Sequence, residues 1–382
     1  MKIAFLTSEY PHSKTGSSGG IGTSIKNLAN GLLSQNCKVR VLVYGQKEDA
    51  IFEDNGITIQ QIRNVKFKGL SWWLTRKKLE HIINQLYVDK EIDLVEAPDW
   101  TGITSFIQPN KCPIVIKLHG SDTYFCHLDH RPVKWINQFH ERRALEKADD
   151  LLSVSQFTAD LTNQVFGLKK EFTIIPNSIH VDLFNGYDNS HNMHTILYFG
   201  SLIRKKGLLE LPFIFNEVIR DNPQAQLVLV GKDVPDIVSG NSSTWQMMQG
   251  LFTPEALQNL TYLGSVPYAE MQQQIDLATV CVFPSFAEAL PVSWMEAMAM
   301  QKAVVASNIG WASEIIADGV DGFLVHPKEH RQFANRILEL LEQPKLQQQF
   351  GIAARKKIVN KFSVEIVAKQ SLLFYEGLIK PR

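Results

Sequence analysis

Cysteine is scarce in this 382-residue chain, and its 4 cysteines, Cys37, Cys112, Cys126 and Cys281, form no Cys-x-x-Cys pair. That scatter suits a reducing cytoplasm. Long apolar runs are missing too. Nothing approaches the roughly 18 consecutive apolar residues of a membrane span, so peripheral contact is the one membrane association to expect. The opening "MKIAFLTSEYPHS" holds an apolar run of about six residues with no small-residue cleavage site behind it, too short for a secretory core. Neither sign of charge dominates, with 39 Lys+Arg against 39 Asp+Glu. A balanced chain has no global field to draw nucleic acid or an acidic partner.

What is present is a globular composition, 45% hydrophobic and 20% charged, on a chain long enough for two ordinary domains. Short β-rich runs alternate with helical stretches, the pattern of parallel sheets with crossover helices. In the first half these runs are "KIAFLT", "VRVLVY", "ITIQQI", "DLVEAP", "PIVIKLHG", "DLLSVS" and "FTIIPN". The turn-rich "NGYDNSHNMH", Asn185 to His194, breaks the alternation and marks a domain boundary. It restarts with "TILYFGSL", "QLVLVGK", "TYLGSV", "VCVFPSF", "AVVAS" and "GFLVHP". Helical stretches over Glu329 to Glu342, Lys345 to Asn360 and Ser363 to Ile379 finish the chain. The expected fold class is α/β, with two Rossmann-like doubly wound domains, 1–190 and 191–362, facing a central cleft. Ligands of such folds bind outside the carboxyl ends of the strands, so the residues that follow the strands carry the interest.

Gly19, Gly20 and Gly22 follow the first strand and precede a helix whose start Thr23 or Ser24 could cap. Backbone N–H groups there can approach an anion, although glycine clusters also make plain surface loops. A nicotinamide fingerprint fits poorly, because about ten residues separate strand and glycines; Glu48 and Asp49 keep that alternative open. In the second half "FGSLIRKKGLLEL" places Arg204, Lys205 and Lys206 on a strand-to-helix turn. Cations beside a helix N-terminus oppose its dipole, a conflict that a bound anion relieves. A solvated basic loop is the plainer alternative. "PSFAEALPVSWMEAMAM", Pro284 to Met300, carries only two charges, Glu288 and Glu296. Pro291 suits the first turn of a helix, placing Glu288 in the loop before it and Glu296 within it. A structural ion pair with a capping acid would account for these glutamates equally well.

Taken together these segments resemble the retaining glycosyltransferases of family 4, enzymes of the GT-B type that use nucleotide-diphosphate sugars. The resemblance runs through "GGIGTSIKNLA", "KLHGSD", "SVSQFTADL", "IIPNSIHVDLF", "GSLIRKKG", "TYLGSVPYAEM", "PSFAEALPVSWMEAMAM" and "AVVASNIGWASEIIADGVDGFLV". The two glutamates, eight apart, match the family's most specific motif. The resemblance implies that Glu296 holds the ribose hydroxyls and Glu288 the hydroxyls of the transferred sugar, with backbone N–H groups of Leu290 and Val292 near the sugar and diphosphate. Lys206 matches a diphosphate-binding lysine. Ser201 stands where relatives carry an arginine, and Arg204 is the residue expected to replace it. Gly20 matches a glycine near the diphosphate, His119 an active-site histidine on the donor sugar, and Gly264, Ser265 and Val266 a turn that reads the base. A C-terminal helix over about 363–382 is expected to return to the first domain, and the domains to close on the donor.

The implied reaction transfers a sugar to an acceptor hydroxyl with retention, by front-face displacement and without a cofactor. No Asp-x-Asp occurs, in keeping with metal independence. A UDP-sugar is favoured slightly over GDP or ADP, and the acceptor is a glycan, a lipid-linked species or a small molecule. Alternatives are a nucleotide-sugar 2-epimerase and a catalytically silent sugar-nucleotide binder. "FCHLDH", with Cys126, His127 and His130, makes a poor metal site by its irregular spacing and is expected to border the acceptor region. In residues 66–78, Lys66, Lys68, Arg76, Lys77 and Lys78 accompany Trp72 and Trp73. That segment suits either a peripheral contact at the inner face of the cytoplasmic membrane or a buried tryptophan pair beneath a solvated basic face.

Overall fold

The computed structural model describes residues 1–16, 18–108, 112–184 and 194–379. The chain parts into two compact units, one of Met1–Ser178 with Phe362–Arg382 and the other of Ile179–Lys361. The turn-rich segment expected as the boundary lies, His194 excepted, outside the described residues. The division falls upstream of it for a local reason. Ser24 donates to Asn177 Oδ1 at 2.7 Å and Asn27 to the Ser178 carbonyl at 2.8 Å, so the chain stays tied to the first unit up to that point.

The first unit is built on β1 (Lys2–Thr7), β2 (Lys38–Gln46), β3 (Ala50–Asp54), β4 (Ile57–Arg63), β5 (Leu94–Pro98), β6 (Ile114–Leu118), β7 (Asp150–Ser153) and β8 (Thr173–Ile174). They form one sheet in the order β3-β4-β2-β1-β5-β6-β7-β8. Only β3 runs antiparallel to its neighbour, and it is the strand that the apolar-run pattern did not reveal. Asn55 and Gly56, both at positive φ (51° and 86°), make the tight hairpin turn into β4.

Helices α1 (Gly20–Ser34), α2 (Ser71–Val88), α3 (Asp122–Leu128), α4 (Trp135–Lys147) and α5 (Gln156–Phe166) connect these strands. Alternation along β1 shows the two-sided packing. Ile3 and Phe5 join Ile25, Leu28 and Leu32 of α1, whereas Ala4 and Leu6 join Leu79 and Ile83 of α2. Each buried aliphatic of this kind contributes about 1.5–3 kcal/mol.

The second unit carries β9 (Thr195–Phe199), β10 (Gln226–Val230), β11 (Leu260–Tyr262), β12 (Val280–Phe283), β13 (Ala303–Ser307) and β14 (Phe323–Val325), in the order β11-β10-β9-β12-β13-β14 and parallel throughout. Around it lie α6 (Leu211–Asp221), α7 (Thr244–Gln249), α8 (Pro254–Gln258), α9 (Tyr268–Leu277), α10 (Val292–Ala299), α11 (Ala312–Ile315), α12 (His330–Glu342) and α13 (Pro344–Lys357). The last helix, α14 (Val364–Ile379), belongs to the first unit. It lies on α1 at Gly31, where a Cβ would come within 2.5 Å of Val364. Tyr375 of α14 donates to buried Glu96 of β5 at 2.5 Å. Among the described residues no helix is long and apolar enough to cross a membrane.

Candidate active site

In the second unit the central strands β9 and β12 are neighbours, so the loops leaving their carboxyl ends meet. From β9 the chain passes Gly200 and Ser201 into a 3-10 turn, Arg204–Lys206, closed by Gly207 in the left-handed region. Gly207 has no substitute: a Cβ there would lie 1.8 Å from the Pro284 carbonyl oxygen at the end of β12. The Lys205 carbonyl accepts from Phe286 N–H at 2.8 Å, which fastens the two loops together. Lys206 Nζ thereby comes 3.1 Å from Glu288 Oε1, both side chains being mostly buried. Ser285 donates to the same oxygen at 3.3 Å. Burial and the Glu288 charge push the Tyr198 phenol well above its ordinary range, and its hydroxyl donates to the Ser201 carbonyl at 3.0 Å.

Glu296 is the fifth residue of α10 and is buried. Pro291 is the N-cap of that helix rather than its first residue, and it offers no side-chain cap. Leu290 is buried and Val292 half-buried as they lead into α10. Gly264, at φ 68°, spends its carbonyl on Gly231 N–H at 2.8 Å, and Ser265 beyond it is exposed.

Arg204 has a protein partner in the loop after β10. Its Nε and Nη2 donate to the two oxygens of Asp236 at 2.8 and 2.7 Å, and Ser239 completes the set. This bidentate pair holds the Asp236 carboxyl well below its usual range. Arg204→Ala is therefore expected to lower stability by about 1–2 kcal/mol, discounted for the guanidinium's partial exposure, while UDP affinity changes little. Denaturant titration and calorimetry on the same variant decide it. A tenfold loss of UDP affinity at unchanged stability would make Arg204 a phosphate ligand.

The first unit supplies a second set of strand ends. Glu9, just past β1, accepts from Gly19 N–H at 3.0 Å and Gly22 N–H at 2.9 Å. It takes the capping role expected of Thr23 or Ser24; those hydroxyls donate to the Gly19 carbonyl and to Asn177 instead. A Cβ on Gly20 would meet nothing within 4 Å. His119, next after β6, donates its backbone N–H to Asp99 Oδ1 at 2.9 Å, and Asp99 follows β5. Burial, with the Lys117 charge, pushes the His119 imidazole down to about 3, so it is neutral at physiological pH. Buried Glu141 of α4 accepts from Thr101, Asp122 and Thr123 N–H at 3.2, 2.9 and 3.1 Å, tying together the loops behind β5 and β6.

The sequence motifs do not mark Asp99 or Glu141. The signal for Asp99 was its place two residues after the alanine of "DLVEAPDW", at a strand end; Glu141 has none, being mid-helix. Burial raises the Asp99 carboxyl to about 7, and among the described residues its Oδ2 has no hydrogen-bond partner. A raised acid holds its proton longer in the folded state, so its contribution to stability is full below about pH 4 and is lost as pH rises through about 7. Denaturation midpoints from pH 5 to 8 are expected to fall more steeply for the native chain than for Asp99→Asn. Parallel slopes would contradict this.

Elsewhere in the unit, Trp72 and Trp73 are 44% and 39% exposed, so the buried-pair alternative does not hold. Trp72 packs beside Phe106 and beneath Arg76. Cys126 is buried and its thiol donates to Asp122 at 3.7 Å. Among the described residues no group of three or more His, Cys, Asp or Glu is placed to hold a metal ion.

Two Rossmann-like sheets, parallel but for β3, carry charged groups at their strand ends, an architecture shared with GT-B glycosyltransferases. The family described as Glycosyltransferase Family 4 matches residues 18–183, and that described as Glycosyl transferases group 1 matches 183–357. Over 418 aligned residues the chain is 25% identical to the alpha-maltose-1-phosphate synthase of Mycolicibacterium smegmatis, covering 98% of this chain and 99% of that one. Its fold is similar to that of the sucrose-phosphate synthase from Thermosynechococcus elongatus, with a TM-score of 0.79, 19% identity and 99% coverage of both chains. Anabaena HepE in complex with UDP and glucose superposes with a TM-score of 0.75 at 22% identity, over 98% of this chain and 99% of that one. The chain belongs to the family 4 glycosyltransferases.

Proposed function

We propose that this glycosyltransferase moves a sugar from a nucleotide-diphosphate sugar, UDP being the favoured nucleotide, to an acceptor hydroxyl with retention and without a metal. The observation that carries the reading is the Lys206–Glu288 pair at 3.1 Å on the ends of adjacent strands. Lys206 is assigned to the diphosphate, whose charge grows as the sugar departs; a preorganised cation stabilises that transition state more than the ground state. Diphosphate binding draws Lys206 away from Glu288 and leaves that carboxylate to accept from sugar hydroxyls. Glu296 is assigned to the ribose, the backbone of Leu290 and Val292 to sugar and diphosphate, and Gly264, Ser265 and Val266 to the base.

Ser201 contributes no charge to this scheme. In the first unit Gly20 is assigned to the diphosphate through its N–H, and His119 to the donor sugar as a neutral imidazole. Front-face displacement needs no protein nucleophile, since the departing diphosphate takes the acceptor proton; the residues position and stabilise. Metal independence is supported by the lack of Asp-x-Asp and by the lysine at the diphosphate position. The similarity to an alpha-maltose-1-phosphate synthase supports a sugar product, and the complex of Anabaena HepE with UDP and glucose supports a UDP-sugar donor. Incubating the chain with UDP-glucose and a panel of sugar acceptors, followed by mass spectrometry and anomeric NMR, tests the reading. A new α-linked glycoside is expected; an inverted product or a strict metal requirement overturns the respective part.

A peripheral contact of residues 66–78 with an anionic membrane belongs to the same proposal. Phe67, Leu70, Trp72 and Trp73 are all exposed beside Lys66 and Lys68. Co-sedimentation with anionic vesicles at low salt, reversed at high salt, is the expected result. No binding at low salt rejects it.

A further inference from the structure

Away from the assigned residues, the carboxyl ends of β2 and β4 frame a hollow of about 450 Å³ lined by Lys47, Arg63, Asn64, Val65, Lys66 and Lys78. Each lining group has a topological reason to be there. Lys47 is the first residue after β2, Arg63 ends β4 and Asn64 to Lys66 continue from it, while Lys78 reaches across from α2. Parallel strands deliver their outgoing loops to one side of a sheet, and that side is where doubly wound domains take ligands.

The charges are unbalanced. Lys78 donates to both oxygens of Asp49 at 2.6 and 2.8 Å and to the Arg63 carbonyl at 3.0 Å, and the same carboxylate accepts Arg63 N–H at 2.9 Å. Lys78 and Asp49 thus form the frame of the hollow. Among the described residues the side chains of Lys47, Arg63 and Lys66 pair with no carboxylate within 4 Å, and Glu48 is not part of the lining. Lys47, Arg63 and Lys66 are exposed, and the Asp49 carboxylate offsets part of the Arg63 charge, which leaves an excess of positive charge that a bound anion lowers. Arginine offers a planar fork, the lysines two compact ammonium groups and Asn64 an amide, a donor set that suits the several oxygens of a phosphate better than the two of a carboxylate. The hollow is larger than a phosphate alone, so it also admits part of the molecule that carries one.

We propose that this hollow binds a phosphate group carried by the acceptor. The word acceptor rests on the transferase reading above; the phosphate site does not. The phosphate has two possible sources, a soluble phosphorylated sugar or a lipid headgroup, and the exposed Phe67, Leu70, Trp72 and Trp73 nearby leave the second open to test.

The test titrates the full chain with inorganic phosphate by calorimetry. It is repeated with the double variant Lys47→Gln/Lys66→Gln and with the control Lys38→Gln, whose residue begins β2 at the other end of the strand. Saturable binding is expected, weakened about tenfold or more in the double variant and unchanged in the control. Equal affinity in all three proteins, or no saturable binding to the native chain, overturns the proposal. A hexose phosphate that binds tighter than inorganic phosphate, without co-sedimentation on phosphatidate-containing vesicles, supports the soluble source. Co-sedimentation that the double variant loses supports the lipid. UDP titrated into the same proteins separates the two readings. Intact UDP binding with no phosphate site sinks only this proposal, and an intact phosphate site with no UDP binding sinks only the UDP-sugar reading.

Discussion

Lys206→Ala is expected to lower kcat/KM for the nucleotide sugar by about three orders of magnitude, the upper range for removing one preorganised group from a developing anion. Two losses combine. On the proposed assignment the departing diphosphate loses its cation, and Glu288 loses the ion-pair partner 3.1 Å away while mostly buried. Glu288→Gln separates them, because it keeps Lys206 and removes only the acid. That variant is expected to retain UDP affinity while kcat falls, since Glu288 is assigned to the sugar rather than the nucleotide. Steady-state kinetics with calorimetry on both variants reads the division. If Glu288→Gln turns over like the native enzyme, Glu288 is a structural counter-ion to Lys206 and the sugar assignment is wrong.

The second large effect is on stability. Gly207→Ala puts a Cβ 1.8 Å from the Pro284 carbonyl at a residue whose φ is 73°. Backbone must move, and a cost of about 3–5 kcal/mol is expected in urea denaturation. Gly264→Ala supplies the comparison, since its φ of 68° is similar but a Cβ there meets nothing within 4 Å. Only the left-handed strain remains, about 1–2 kcal/mol. The difference between the two variants isolates the close approach of the β9 and β12 loops. Gly207→Ala should also reduce turnover, because the turn it closes carries Lys206. Equal destabilisation of the two variants would mean that the loops do not pack in this way.

Most strands were legible in the sequence because both faces of a parallel sheet are buried, and such strands read as continuous apolar runs like "VCVF" and "AVVAS". The hairpin strand β3, "AIFED", alternates and sits at the sheet edge, so it lacks that signature. The Asn55–Gly56 pair was the available clue, as the strongest short-range sign of a hairpin. Lys206 and Glu288 each stand beyond a separate strand end in the sequence, and the structure brings them together. Arg204 follows the same strand end as Lys206, yet it pairs with Asp236, 32 positions along and on the loop after a different strand. Pairings of that kind depend on strand order, and strand order is not a local property of sequence. The same holds for Glu9, which outcompetes Thr23 and Ser24 at the start of α1 from 10 and 13 positions away.

The carboxyl ends of β9 and β12, with α10, are the proposed binding place of a nucleotide diphosphate. Calorimetric titration of UDP into the native chain and into Glu296→Ala tests it most directly. Glu296 is buried, accepts hydroxyl donors well and takes no part in the Lys206–Glu288 pair. One site of measurable affinity is predicted for the native chain, with at least tenfold weaker binding to the folded variant, about 1.4 kcal/mol. UDP binding of equal strength to both proteins would contradict the account.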